Sequence, residues 1–128
     1  KEIFKTSKGK YISPAPIENI LGAHPQVEAC CVIGEGQQQP CAIITLSENQ
    51  EWGEELRKSM ILLREKTNRK LDKHEQIHYI VITQKQWNVD NGFVTPTLKV
   101  KRHVIESYYG ANLNAWEELK NPVIFYNR

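Results

Sequence analysis

The chain has 128 residues and a formal net charge of +2, with 40% hydrophobic and 25% charged residues. That length suits one domain with its own core, and the balance is that of an ordinary globular protein. It excludes a membrane span, because no apolar run approaches about 20 residues, and so small a net charge points to no class of partner.

The chain opens at Lys1 and runs directly into an apolar alternation, Ile3-Phe4. This reads as a piece of something longer, with a processed N-terminus as the alternative; no secretory signal pattern is present. Residues 3–12 are expected to form two short strands around Ser7-Lys8-Gly9-Lys10, where Gly9 supplies the permissive backbone of a tight turn. After Ser13-Pro14-Ala15-Pro16, the spacing of Ile17, Ile20 and Leu21 predicts a helix that stops near Gly22. Residues 27–33 read as a strand with Val27, Ala29, Cys31 and Ile33 on one face, and residues 41–46 as its antiparallel partner. Leu56, Met60, Leu63, Thr67 and Leu71 predict a long amphipathic helix over 51–73. A strand over 77–83 follows, then a mostly irregular stretch over 87–101, then a short helix over 103–109 ended by Gly110. Beyond it lie an amphipathic turn at Leu113, Trp116 and Leu119 and an apolar run, Val123-Ile124-Phe125-Tyr126.

This order predicts an α+β fold: a small layered domain with an N-terminal β-hairpin and a three-stranded, mainly antiparallel sheet packed by helices. The domain is expected over 1–110, with 111–128 as a tail of no assigned role.

Complete catalytic patterns are missing. There is no GxSxG, HExxH or P-loop, and the four histidines show no ligand spacing, so no metal site is expected. Cys30, Cys31 and Cys41 lack the CxxC spacing of a zinc or redox site and read as free core thiols of a reducing cytosol. Cys30 and Cys31, being adjacent in a strand, face opposite ways. The charge is nonetheless unevenly spread. Lys1, Lys5, Lys8 and Lys10 fall in the first ten residues, and Lys99, Lys101 and Arg102 cluster near the other end. Such loops can bring point charges to a carboxylate or phosphate, and they can equally be solvated surface. A nucleic-acid module with basic loops is the alternative class, but the strands lack paired exposed aromatics and Gly34-Glu35-Gly36 is no GxxG clamp. A small ligand-sensing regulatory domain is a third.

Two segments carry more. Residues 1–18 read KEIFKTSKGKYISPAPIE and residues 91–102 read NGFVTPTLKVKR. In this order and separation they resemble the two signature motifs in the C-terminal domain of the adenylate-forming (AMP-binding) superfamily, which includes acyl-CoA synthetases, luciferase and peptide-synthetase adenylation domains. The forms KEIFKTSxGKYIxPxxIE and NGxxTPTLKxKR are similar to those of the long-chain fatty-acid–CoA ligases. The resemblance runs from Lys1 to about Tyr109.

What the resemblance implies is a lid domain that turns between two orientations on a larger N-terminal domain. Lys99 aligns with the lysine that contacts the acid carboxylate and the α-phosphate during adenylation. Many members have Gly before that lysine, where this chain has Leu98, as the long-chain group does. Lys1 falls at the hinge. Lys5, Lys8, Gly9, Lys10 and Tyr11 belong to the hairpin that borders the CoA tunnel in thioester formation, with one residue more between Lys5 and Gly9 than luciferase-like members carry. Lys101 and Arg102 are candidate phosphate contacts. The implied substrates are a fatty acid, ATP and CoA, with ATP and Mg²⁺ held mainly by the N-terminal domain. The chain alone is expected to be inactive. The implied enzyme is cytoplasmic or membrane-peripheral, without a transmembrane segment, and binds no nucleic acid.

Overall fold

The computed structural model describes residues 2–128, so the hinge expectation for Lys1 lies outside the described residues. The chain enters through a hairpin of β1 (Phe4–Lys5) and β2 (Tyr11–Ile12), which pairs Phe4 with Ile12 and Lys5 with Tyr11. Period-two alternation buries Phe4 and Ile12 and leaves Lys5 and Tyr11 outside, with the Lys5 ammonium 5.8 Å from the Tyr11 ring centre. Helix α1 (Pro14–Gly22) begins on prolines, whose missing amides would be orphans in a first turn, and buries Ile17 and Leu21.

Four further strands form one sheet in the order β3 (Val27–Ile33), β4 (Cys41–Leu46), β5 (Ile80–Thr83), β6 (Val123–Tyr126). The α+β layered class with its N-terminal hairpin holds, but the sheet is larger than the sequence pattern suggests. Only β3–β4 is antiparallel; β4–β5 and β5–β6 are parallel. Topology explains this. The long helix α2 (Glu54–Asn68) carries the chain back across the sheet before β5, and the irregular stretch, α3 (Arg102–Tyr109) and α4 (Leu113–Glu118) do the same before β6. The segment 111–128, set apart above as a tail, thus supplies α4 and an edge strand hydrogen-bonded along β5. Gly110 ends α3 as its C-cap, as expected, and opens a 3₁₀ turn, Gly110–Asn112, that leads into α4.

The sheet has a core on each face. Ile17, Leu21, Leu56, Met60 and Leu63 pack with Val32, Ala42, Ile44, Ile80 and Ile82 on one side. Ile105, Tyr109, Leu113 and Trp116 pack with Cys31, Ile33, Ile43 and Val81 on the other. β5 is buried throughout, as a central parallel strand should be. Cys30 and Cys31 do face opposite cores. Val27, expected on the face of Cys31 and Ile33, lies in the opposite core, because the β3–β4 register shifts between Val27 and Ala29. Helix α2 is shorter than its apolar stripe: it ends where the Asn68 side chain turns to the backbone of Ile77, accepting from its amide at 2.7 Å and donating to its carbonyl at 3.0 Å. No helix among the described residues is long and apolar enough to cross a membrane.

Candidate functional site

The irregular stretch before α3 is built from its own polar side chains. Asn91 Oδ1 accepts from the amides of Asn88 and Phe93, and Asn88 Oδ1 accepts from the Asn91 amide. Gly92, at φ +81°, turns the chain so that Phe93 and Val94 enter the core. Trp87 lies beside them and donates Nε1–H to the Tyr109 hydroxyl at 3.3 Å. A bridge between Val94 and Val100, and the Lys101 amide on the Phe93 carbonyl at 2.9 Å, then close the base of a short loop, 95–99.

That loop is locked by Thr95. Its amide donates to the Lys99 carbonyl at 2.8 Å, its carbonyl accepts from the Leu98 amide at 2.8 Å, and its Oγ1 accepts from the Lys99 amide at 3.0 Å. Leu98 sits at φ +67°, the left-handed position that follows a turn in a three-residue hairpin connection. A glycine would take this conformation without a Cβ in the way. Lys99 emerges exposed from a fixed backbone, with no hydrogen-bond or ionic partner for its side chain among the described residues.

The N-terminal hairpin repeats the device. The Thr6 amide donates to the Lys10 carbonyl at 2.8 Å, the Thr6 carbonyl accepts from the Gly9 amide at 3.0 Å, and Thr6 Oγ1 accepts from the Lys10 amide at 3.2 Å. Gly9 takes the left-handed position at φ +78°. A Cβ built there meets nothing within 4 Å, so the glycine serves the turn's backbone and its outer face is open. The hairpin is braced by the β3–β4 loop, through Ser7 N–H to Gln37 O at 2.8 Å and Gly36 N–H to Lys5 O at 3.0 Å. Lys5, Lys8, Gly9, Lys10 and Tyr11 are therefore gathered on one small exposed element.

Arg102 is drawn inward, its side chain 12% exposed. Its Nη1 and Nη2 reach Glu18 Oε2 and Oε1 at 2.5 and 3.1 Å, Nη1 also donates to the Val32 carbonyl at 2.9 Å, and Nε donates to Glu2 at 3.0 Å. Glu18 in turn accepts from the Val32 amide at 2.7 Å. This fork fastens the start of α3, just past Lys99, to α1, β3 and the entry of the hairpin. Lys101 stays half-buried as the residue preceding α3. Sequence reasoning missed the partners Glu2 and Glu18 and the locking threonines. Only the threonines left a signal, a Thr placed four residues before a Lys in both motifs.

Of the three thiols, Cys31 meets this network, its Sγ accepting from Arg102 Nη1 at 3.4 Å. Burial pushes Cys30 and Cys41 up to about 12 and raises Cys31 as well. Among the described residues no three His, Cys, Asp or Glu side chains gather to hold a metal ion.

The family described as AMP-binding enzyme C-terminal domain matches residues 1–118. Among curated proteins, the chain is similar to long-chain-fatty-acid–CoA ligase 1 of Cavia porcellus, 29% identical over 89% of this chain and 19% of that one. It is also similar to long-chain-fatty-acid–CoA ligase FadD15 of Mycobacterium tuberculosis, 28% identical over 90% of this chain and 22% of that one. The chain thus spans about a fifth of the length of these relatives. Its fold resembles the A-PCP didomain of a carboxylic acid reductase from Segniliparus rugosus, in complex with AMP, at TM-score 0.78 and 21% identity, covering 93% of this chain and 18% of that one. It also resembles a Mycobacterium tuberculosis fatty acyl CoA synthetase at TM-score 0.62 and 18% identity, covering 86% of this chain and 20% of that one.

Proposed function

The chain belongs to the family of AMP-binding enzyme C-terminal domains, and from that premise we propose that it is the lid of an ATP-dependent fatty-acid–CoA ligase, with Lys99 as its adenylation lysine. The observation that carries the reading is the Thr95–Lys99 loop, which presents an exposed ammonium, without a partner among the described residues, from a backbone held by three hydrogen bonds. Fixing a charge where charge develops avoids reorganisation during the reaction. The names of the curated relatives supply the substrate class.

In the proposed reaction the fatty acid and ATP give acyl-adenylate and pyrophosphate, with Lys99 offsetting negative charge between the carboxylate and the α-phosphate. CoA thiolate then displaces AMP while the hairpin of Lys5, Lys8, Gly9, Lys10 and Tyr11 faces the site, after rotation about a hinge at Lys1. Segment 91–102 contains one acid-free run of donors and cations and does not fit Mg²⁺, which needs oxygen ligands. Binding of ATP and that ion falls to the rest of the enzyme, and this chain alone would form no acyl-adenylate.

The test is Lys99→Ala in the full-length ligase. Adenylation, followed by pyrophosphate exchange, should fall by about two to three orders of magnitude, whereas thioester formation from supplied acyl-adenylate should persist. Equal loss of both half-reactions would refute the assignment.

A further inference from the structure

A cavity of about 350 Å³ opens at the end of the sheet where β5 and β6 begin. Arg64 of α2, His78 before β5, Glu117 of α4, and Lys120 and Asn121 before β6 line it. The Lys99 loop lies at the opposite end of the sheet, where Leu98 and Val100 border a hollow with Thr45, Leu46 and Thr83, the last residues of β4 and β5.

The charge around this cavity does not balance. Arg64 is half-buried, and its Nε donates to the carbonyls of Ile77 and His78 at 3.1 and 3.0 Å. Among the described residues its two terminal nitrogens have no hydrogen-bond partner, and no carboxylate pairs with it. Burial lowers its guanidinium from the usual range, against a weaker opposing pull from Glu65. A cation drawn out of water without a counter-charge is costly to keep. Lys120 is exposed, likewise without an ionic partner among the described residues. It follows α4 in the left-handed region, at φ +52°, where glycine or asparagine is the usual residue. Besides Leu98 it is the one non-glycine residue with positive φ among the described residues, and such strain gathers at binding sites.

The carboxylate of the cavity is turned elsewhere. Glu117 Oε1 lies 3.9 Å from Nδ1 of His78, a buried nitrogen with no hydrogen bond. Asn121 Oδ1 accepts from Arg57 Nη1 at 3.0 Å and from the Val123 amide at 3.2 Å, which leaves its Nδ2 to donate.

We propose that this cavity binds a phosphate group, with Arg64 as the forked donor, Lys120 as the point charge and Asn121 Nδ2 as a neutral donor. Two cations match a dianion, and donors from three directions match tetrahedral oxygens better than the two oxygens of a carboxylate. The volume lies at the lower end of the range for small-molecule pockets. The site uses none of the residues assigned to the ligase reaction and does not rest on that reading.

The experiment titrates the 128-residue chain with inorganic phosphate, phenyl phosphate and acetate at constant ionic strength, followed by amide chemical shifts. Phosphate should give saturable shifts at His78, Lys120 and Asn121 and leave residues 95–99 in place. Acetate should bind about tenfold more weakly. Arg64→Gln should weaken phosphate binding by about tenfold, and Lys120→Asn by about threefold. Arg64 also holds the Ile77 and His78 carbonyls, so Arg64→Gln puts the fold at risk; Lys120→Asn does not, because asparagine accepts the left-handed region. Phenyl phosphate bound about fivefold more tightly than inorganic phosphate assigns the site to a phosphate ester, and equal binding assigns it to the free ion. The proposal is overturned if phosphate gives no saturable shift, if the shifts fall on residues 95–99 or on the hairpin instead, if acetate matches phosphate, or if Lys120→Asn binds phosphate as tightly as the parent.

Discussion

Leu98 offers a direct test of the loop geometry, because at this one position glycine should be more stable than alanine. An exposed glycine ordinarily lowers stability relative to alanine by about 0.5–1 kcal/mol, through the freedom it gains in the unfolded chain. At φ +67°, however, any Cβ crowds the following carbonyl, at about 1–2 kcal/mol. The Leu98 side chain is 76% exposed, so truncation removes little buried area and does so equally in both variants. The difference between Leu98→Gly and Leu98→Ala is then the strain relieved less the entropy lost, about 0.75 kcal/mol in favour of glycine at the middle of both ranges. For a domain of this size that is roughly 2–5 °C in melting temperature. Thermal and urea unfolding of the two variants side by side gives the answer. If the alanine variant melts at or above the glycine variant, the left-handed turn in front of Lys99 is not the conformation in solution.

Three further outcomes follow from buried groups. Glu18→Ala would strand the Arg102 guanidinium beneath the surface and should lower stability by about 3 kcal/mol, whereas Glu2→Ala, which removes a side chain that is 63% exposed, should lower it by less than about 1 kcal/mol; equal losses in urea melts would show that the fork is not the anchor described. The thiols are raised in the folded state, so above about pH 9 the unfolded chain gives up thiol protons that the native one keeps. Stability is therefore complete below that pH and declines as pH rises towards about 12. The same burial should leave all three cysteines unmodified by iodoacetamide at pH 8 until denaturant is added, and rapid labelling of the native chain would contradict it.

Much of this architecture was legible in the sequence, and what escaped was non-local. The hairpin, α1, β3, β4 and the core stripe of α2 follow from local periodicity and from glycine and proline at fixed offsets. β6 did not, because Val123-Ile124-Phe125-Tyr126 reads equally as an apolar tail until β5 is available to pair with it. Parallel pairing depends on long crossovers and leaves no mark in a short window. The displacement of Val27 to the opposite core depends on a register shift that only the β4 partner reveals. At the site, motif resemblance pointed to Lys99 and Gly9, and the structure adds the reason those loops hold their shape. The ion pairs of Arg102 were not legible, because adjacent basic residues look alike as charge. What separates it from Lys99 is Glu18, 84 residues away in sequence.

The strain at Leu98 also says how the domain is organised. A left-handed leucine persists only where its surroundings over-determine it, and here they do: three bonds to Thr95 and Lys99 within the loop, the Val94–Val100 bridge at its base, and buried Phe93 and Val94 beneath. The hairpin loop reaches the same shape with glycine and needs no such reinforcement at that residue; its bracing comes from Gln37 and Gly36 instead. Arg102 then joins the two supports by linking the start of α3 to the hairpin entry at Glu2 and to α1 at Glu18. Both loops consequently ride on a single body whose internal geometry is fixed by hydrogen bonds and core, so a substitution that loosens either loop acts on its own anchors, Thr95 and the Val94–Val100 bridge for one and Gln37 and Gly36 for the other.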